Sequence, residues 1–389
     1  MTNRTRSADV IVIGAGIIGL STAYHLAQRE PSLRIIVLEC EGEAGTGSTA
    51  KATGGIRHQF GSEVNIRLTQ LSYPDFLHFP EEHAQEIGFR ANGYLFVASS
   101  PEIWRTLQAS CVLQNRLGVP TRLIGPSEVQ ALFPEMRVDD LLGGAFCSLD
   151  ATANPSDVLQ GYLSSSRARG VDVVLNAPVT DIESRRGHVT GVRTVETSYT
   201  ADVVVNAAGP RVAQVGAFAG VDIPAKAYRR QVFVMKHDPR VHPGLPFTVD
   251  LDTGWYVHQD GGGRLLFGGT DKDNRPGLDP TVDWAGFDRV ATAALIRVPP
   301  IAERAQVMSA YAGIRTLTPD HHAIIGRVPQ MAGFFVASAC NGHGFMHAPA
   351  VGKLLAEEIL DGSARSLDIT SFSLARFDAS AHTREPTTF

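Results

Sequence analysis

The sequence predicts an α/β fold in which a Rossmann-like domain is interleaved with an antiparallel-sheet domain, and three stretches carry that prediction. Asp9 to Glu39 reads as strand, glycine turn, helix and strand. Ala201 to Val212 reads as another central strand ending in small residues, so distant pieces of chain share one sheet. Between Tyr228 and Gly269 the pattern changes to consecutive strands joined by Gly- and Pro-rich turns, which suits an antiparallel sheet.

The first stretch is the most specific. Val10 to Ile13 is an apolar run suited to a strand buried on both faces, and Gly14, Gly16 and Gly19 follow at GxGxxG spacing. Gly14 permits a tight turn, Gly16 lets backbone approach a pyrophosphate, and Gly19 lets the helix pack close to the strand. The positive end of that helix then faces the anion. A second strand, Ile35 to Leu38, ends at Glu39, placed to accept hydrogen bonds from an adenosine ribose and unsuited to a 2′-phosphate. Together these features predict a dinucleotide site.

Helical periodicity recurs at Ile17 to Gln28, Glu102 to Leu117, Asp157 to Ala168, Trp284 to Val298 and Ala350 to Leu360. Strand-like runs separate them at Tyr94 to Ala98, Val171 to Leu175, Val203 to Asn206, Arg230 to Met235, Arg264 to Gly268 and Phe334 to Ala339. The polar stretch from Arg384 onward, with Pro386, is expected to fray.

A chain of 389 residues exceeds one typical core, which points to two associated domains. A net charge of −5 carries no basic excess for nucleic acid or anionic lipid. Cys40, Cys111, Cys147 and Cys340 lie far apart without a CxxC pair, so no metal site or iron–sulfur cluster is signalled. Reduced thiols, and only eight residues ahead of Asp9 for a targeting signal, lead to the expectation of a cytoplasmic protein. The longest apolar run, Val10 to Leu20, is shorter than the ~20 residues of a membrane span.

GAGIIGLSTAYHLA, GSTAKATGGIRHQFG, VVVNAAGP, YAGIRTLTPDHHAIIG and NGHGFMHAPAVGKLLAEEI occur in an order that resembles the D-amino-acid oxidase superfamily of FAD enzymes, especially its glycine oxidase and sarcosine oxidase branch. The resemblance covers nearly the whole chain. It implies a discontinuous FAD-binding domain, residues 1–85, 143–220 and 312–380, and a substrate domain, residues 86–142 and 221–311. The ADP half would be held by Gly14, Gly16, Ile17, Ile18 and Gly19 with Glu39 and Cys40. Gly47, Ser48, Thr49, Thr53, Gly54 and Gly55 would pass beside the flavin, and Ala207, Ala208, Gly209 and Gly313 would also bind the cofactor. The closing motif, Asn341, Gly342, His343, Gly344 and Phe345, precedes a helix whose positive end can stabilise charge on the reduced ring.

Enzymes of this kind move hydride from the carbon beside an amine to flavin N5, leaving an imine that water hydrolyses. By resemblance, Arg315 binds a substrate carboxylate, Arg57 lies near it, so that the two share one anion or bind a diacid, and the Tyr256 hydroxyl helps orient it. His58, His258 and His343 lie in resembling motifs. His343 is the leading candidate to accept an amine proton or donate to the ring. Phe233, Phe247 and Trp255 either line the pocket or belong to the core.

Departures from the pattern matter equally. The cysteine that tethers FAD in monomeric sarcosine oxidases is replaced by Gly313, and the tethering histidine of dimethylglycine dehydrogenases by Lys51, so noncovalent FAD is expected. A lysine after the GHGF motif is replaced by Met346, which argues against sarcosine. The oxygen-activating lysine aligns with Leu266, leaving oxygen, a quinone or a protein as electron acceptor. The leading expectation is an amine or amino-acid oxidoreductase acting on a small carboxylated amine. The alternatives are oxidation of a 2-hydroxy acid, or an FAD-binding subunit that depends on partner chains; a homo-oligomer is also compatible with the sequence.

Overall fold

The structure is a computed structural model that describes residues 4–270, 275–338, 340–378 and 384–387. Its apolar runs form a six-stranded sheet in the order Ile324–Arg327, Phe334–Ser338, Val203–Asn206, Val10–Ile13, Ile35–Leu38 and Asp172–Val174. Every neighbouring pair is parallel except the outermost, Ile324–Arg327 with Phe334–Ser338. Burial on both faces explains why these strands are continuously apolar and do not alternate. The helix Ile17–Arg29 connects Val10–Ile13 to Ile35–Leu38 and packs along the helix Gly344–Asp361. Ser21 Oγ donates to Ala348 O at 2.8 Å across that contact, and any side chain at Gly352 would overlap Ser21.

The second sheet has eight strands, ordered Val307–Leu317, Lys226–Met235, Leu265–Gly268, Trp255–Gln259, Phe247–Asp250, Tyr94–Ala98, Gly143–Cys147 and Arg122–Ile124. It is antiparallel as expected, save one parallel pair, Phe247–Asp250 with Tyr94–Ala98. Strand alternation divides its side chains between two faces. Phe233, Trp255 and Phe267 join the core beneath the helix Ala285–Arg297, while Val232, Val234, Leu266 and Tyr311 form a separate cluster. Two candidate pocket walls, Phe233 and Trp255, are therefore core. Phe247 is also core, buried in a separate cluster where it stacks between Tyr94 and His258 with ring centroids 4.3 and 4.7 Å away.

Several features depart from the sequence expectation. Gly143–Cys147, expected within the FAD-binding segments, instead hydrogen-bonds between strands of the eight-stranded sheet, and Val307–Leu317 runs across the expected boundary at 312. A further four-stranded sheet includes Arg4–Ser7, ahead of the expected first strand. The C-terminal helix begins at Gly344, six residues before the periodicity suggested, because Pro349 lies inside it. Pro74 similarly masked the helix Glu63–Leu77. The stretch expected to fray is docked at Glu385–Thr387: Glu385 and Thr387 are both buried. Residues 1–3 and 379–380 of the expected FAD-binding segments, and Ala339 of the expected strand, lie outside the described residues.

Candidate active site

Chain order places the first strand, Val10–Ile13, between Ile35–Leu38 on one side and Val203–Asn206 on the other. That reversal makes a crevice at the carboxyl ends of the strands, where open α/β sheets bind ligands. The glycine turn opens onto it. Gly14 has φ +106°, and a Cβ there would stand 2.6 Å from Ala207 O, so the loop beginning at Ala207 closes directly against the turn. A Cβ on Gly19 would collide with Gly14 O, the close helix–strand approach anticipated from the spacing. The helix Ile17–Arg29 has no side-chain cap at Gly16 and no acid in its first turn, which leaves its positive end available to an anion. Glu39 is buried and accepts from Ala15 N at 2.8 Å, which holds its carboxylate beside that turn. Gly209, at φ +53°, has open space where a Cβ would lie.

From there an unbroken set of contacts leads to the second sheet. Thr49 Oγ1 accepts from Ile17 N at 3.1 Å, and Ser48 Oγ donates to Ile314 O at 2.6 Å. A Cβ on Gly313 would approach Lys51 Cβ to 2.7 Å, so this position admits little more than hydrogen. Asn341, in left-handed conformation at φ +54°, donates its backbone N–H to Thr316 O at 3.1 Å. The helix Gly344–Asp361 also lacks a side-chain cap and an acid in its first turn. An arc with a helix N-terminus at each end, a buried carboxylate and glycine-rich walls can hold a dinucleotide flavin.

Arg57, His343, Arg315 and Tyr256 come together at one end of this arc. Arg57 is fully buried, its guanidinium 3.9 Å from the Phe60 ring centroid, with Nη2 3.1 Å from His343 Nε2 and 3.2 Å from Thr387 O, and Nη1 donating to Gln59 O. Arginine only donates, so His343 Nε2 is the acceptor and the ring proton sits on Nδ1. Burial, reinforced by Arg57, holds the His343 pKa well below its ordinary value. His343 is therefore neutral. Burial and the neighbouring Arg230 push Arg315 down to about 10, which keeps it cationic at neutral pH. Burial raises the Tyr256 hydroxyl to about 12, partly offset by Arg315, so it remains a donor.

The other histidines are placed differently. His58 is tied to Asp150, which accepts from its backbone N at 2.6 Å and lies 3.0 Å from Nδ1, and Gln59 completes that buried network. His258 stacks on Phe247, and burial lowers its pKa to about 4. The sequence reading passed over His347, whose i,i+4 spacing from His343 was the available signal. Thr69 Oγ1 donates to Arg57 O at 2.9 Å and so accepts from His347 Nε2 at 3.1 Å. Asp150 and Thr387 were also missed, and no local pattern marks either.

A family model described as DAO, FAD dependent oxidoreductase, matches residues 9–358. The chain belongs to this family. Its members are, by that description, FAD-dependent oxidoreductases. Human mitochondrial sarcosine dehydrogenase is 30% identical over 95% of the chain, which spans only 41% of that relative's length. Among solved structures, L-proline dehydrogenase from P. horikoshii superposes with a TM-score of 0.90 at 27% identity, covering 98% of this chain and 100% of its own. Glycine oxidase from Geobacillus kaustophilus superposes with a TM-score of 0.85 at 24% identity, covering 95% of this chain and 99% of its own, a likeness of fold. Among the described residues no helix is long and apolar enough to cross a membrane, and no cluster of three or more His, Cys, Asp or Glu is placed to hold a metal ion.

Proposed function

We propose that this family member oxidises a small carboxylated amine or amino acid at the carbon beside the nitrogen. FAD, when bound, supplies the hydride acceptor for that carbon. The observation carrying the proposal is Arg315, a half-buried, desolvated cation beside the Asn341–Phe345 loop and within electrostatic reach of Tyr256. Burying a guanidinium is costly, and a substrate carboxylate offsets that cost through a bidentate pair. Sarcosine, proline and glycine, the compounds in the names of the relatives, each carry a carboxylate on the carbon bearing the amine. Tyr256 would give the same carboxylate a further hydrogen bond.

In this reading Gly14 to Gly19, Glu39 and the Ala207–Gly209 loop hold the ADP half, while Gly47 to Gly55, Gly313 and Asn341 to Phe345 surround the ring. Gly313 offers no nucleophile and Lys51 stands beside it, which supports noncovalent binding. The His343 lone pair on Nε2 is committed to Arg57, so His343 serves as an Nδ1–H donor and not as the base for an amine proton. The amine must then arrive neutral.

An anaerobic screen of glycine, sarcosine, L- and D-proline and matched 2-hydroxy acids, followed by flavin absorbance near 450 nm, tests the proposal. Bleaching by an amine with formation of the corresponding imine, or of the carbonyl compound that its hydrolysis gives, supports it. Bleaching by hydroxy acids alone would overturn it.

A further inference from the structure

The tail beyond the family match, which ends at residue 358, reaches back into the site. Glu385 is the pin. Its Oε1 accepts from Gly61 N at 2.7 Å and Thr387 N at 3.0 Å, and its Oε2 accepts from Asn65 Nδ2 at 2.9 Å and from Ser62 Oγ. Four donors surround one carboxylate at the start of the helix Glu63–Leu77, where the helix dipole also favours a negative charge. The Glu385 backbone N–H donates to Asp320 O at 3.0 Å, and Arg384 Nη2 lies 2.9 Å from His321 Nε2. Gly61 completes the fit: a Cβ there would overlap Pro386 Cγ and stand 2.6 Å from Thr387 Oγ1. The glycine leaves room for the tail to lie flat.

The consequence falls on Arg57. Thr387 O takes a hydrogen bond from Arg57 Nη2, the nitrogen that also holds His343 Nε2. A guanidinium NH2 carries two hydrogens, and sharing them between two fixed acceptors sets the rotation of the group. We infer that Glu385 is a positioning residue: by clamping the tail on Gly61, Ser62 and Asn65 it delivers the Thr387 carbonyl that orients Arg57 and, through it, His343. The tail thereby closes the site from outside the family core. This inference rests on the reading of Arg57 and His343 as site residues.

The test uses the full-length, FAD-saturated protein and the variants Glu385→Ala, Glu385→Gln and Arg57→Lys. Hydrogen exchange of the peptide covering residues 57–65 is read first, because the Gly61 amide bonds directly to Glu385. The flavin difference spectrum on titration with acetate, a carboxylate probe requiring no turnover, is read second, and kcat and KM for whichever amine bleaches the flavin third. Glu385→Ala should speed exchange at 57–65 at least tenfold, weaken acetate binding or lower kcat/KM about tenfold, and leave far-UV dichroism unchanged. Glu385→Gln, which keeps one acceptor oxygen, should fall between Ala and wild type. Arg57→Lys separates the two levels. If it is impaired while Glu385→Ala stays within twofold of wild type in probe binding and kcat/KM, Glu385 does not position the site. If Arg57→Lys is itself silent, the site reading fails and the inference falls with it.

Discussion

Gly342 and Arg315 pack so closely that a Cβ on the glycine would stand 2.5 Å from the arginine Nε, and Gly342 sits at φ +89°. The loop ahead of the last helix and the Arg315 guanidinium thus fix each other. Gly342→Ala should cost about 1–3 kcal/mol of stability from the strained backbone and should weaken carboxylate binding by displacing Arg315. In a double-mutant cycle with Arg315→Ala the two losses should be non-additive, since the second change removes the clash. Simple additivity in urea melts and probe titrations would show that the two do not communicate.

Arg315→Lys retains charge but loses the planar fork. Binding of a carboxylated substrate should weaken by about 1.5–3 kcal/mol, roughly 10- to 150-fold in Kd. Titration of the flavin spectrum with acetate measures this directly, and unchanged affinity removes Arg315 from the substrate anchor.

Gly19→Ala places a methyl group against Gly14 O, and Gly14→Ala does the same against Ala207 O with a strained φ of +106°. Both variants should purify with little or no bound FAD, colourless beside the yellow wild type. Full flavin occupancy in either would mean that the glycine turn does not approach the cofactor as proposed.

Noncovalent attachment has a direct readout. Precipitating the holoprotein with acid should leave the flavin in the supernatant, because Gly313 provides no thiol and Lys51 no imidazole for a covalent bond to the ring. A yellow pellet contradicts this.

Stability should fall on mild acidification. Burial lowers the pKa of His25 and His258 to about 4 and of His347 to about 3, so each is neutral in the folded chain. Unfolded, each titrates near its ordinary value, about 6.5. Between those values the unfolded state binds more protons, so the stabilisation is complete above about pH 6.5 and is lost as pH falls toward the folded values. From pH 7 to 5 each such histidine should remove about 2 kcal/mol. Urea midpoints for wild type and His258→Phe at the two pH values check the sign: the variant, its ring still able to stack on Phe247, should depend less steeply on pH.

Much of this architecture was legible in one dimension because it rests on local rules. The strands Val203–Asn206 and Tyr94–Ala98 match the expected bounds, since a strand buried on both faces is an unbroken apolar run. Gly14, Gly16 and Gly19 announce the crevice because backbone approach to phosphate excludes Cβ atoms in a fixed pattern. Where a local signal contradicts the tertiary outcome, the reading failed. Pro349 and Pro74 shortened or hid helices that packing sustains, and the polar tail around Glu385 looked like solvent-exposed chain although three donors from a distant segment hold it in place.

The sequence by itself determined a nucleotide-binding α/β domain, the glycine turn that serves it and the family to which the chain belongs, each encoded in contiguous spacing. Only the tertiary structure decided that Arg57 is shared between His343 and Thr387, that His58 belongs to Asp150, and that Trp255 and Phe233 face the core. Those outcomes depend on contacts between residues up to 330 positions apart and on which face of a strand meets which neighbour. Burial, charge and proton position arise from that assembly and leave no mark in the order of residues.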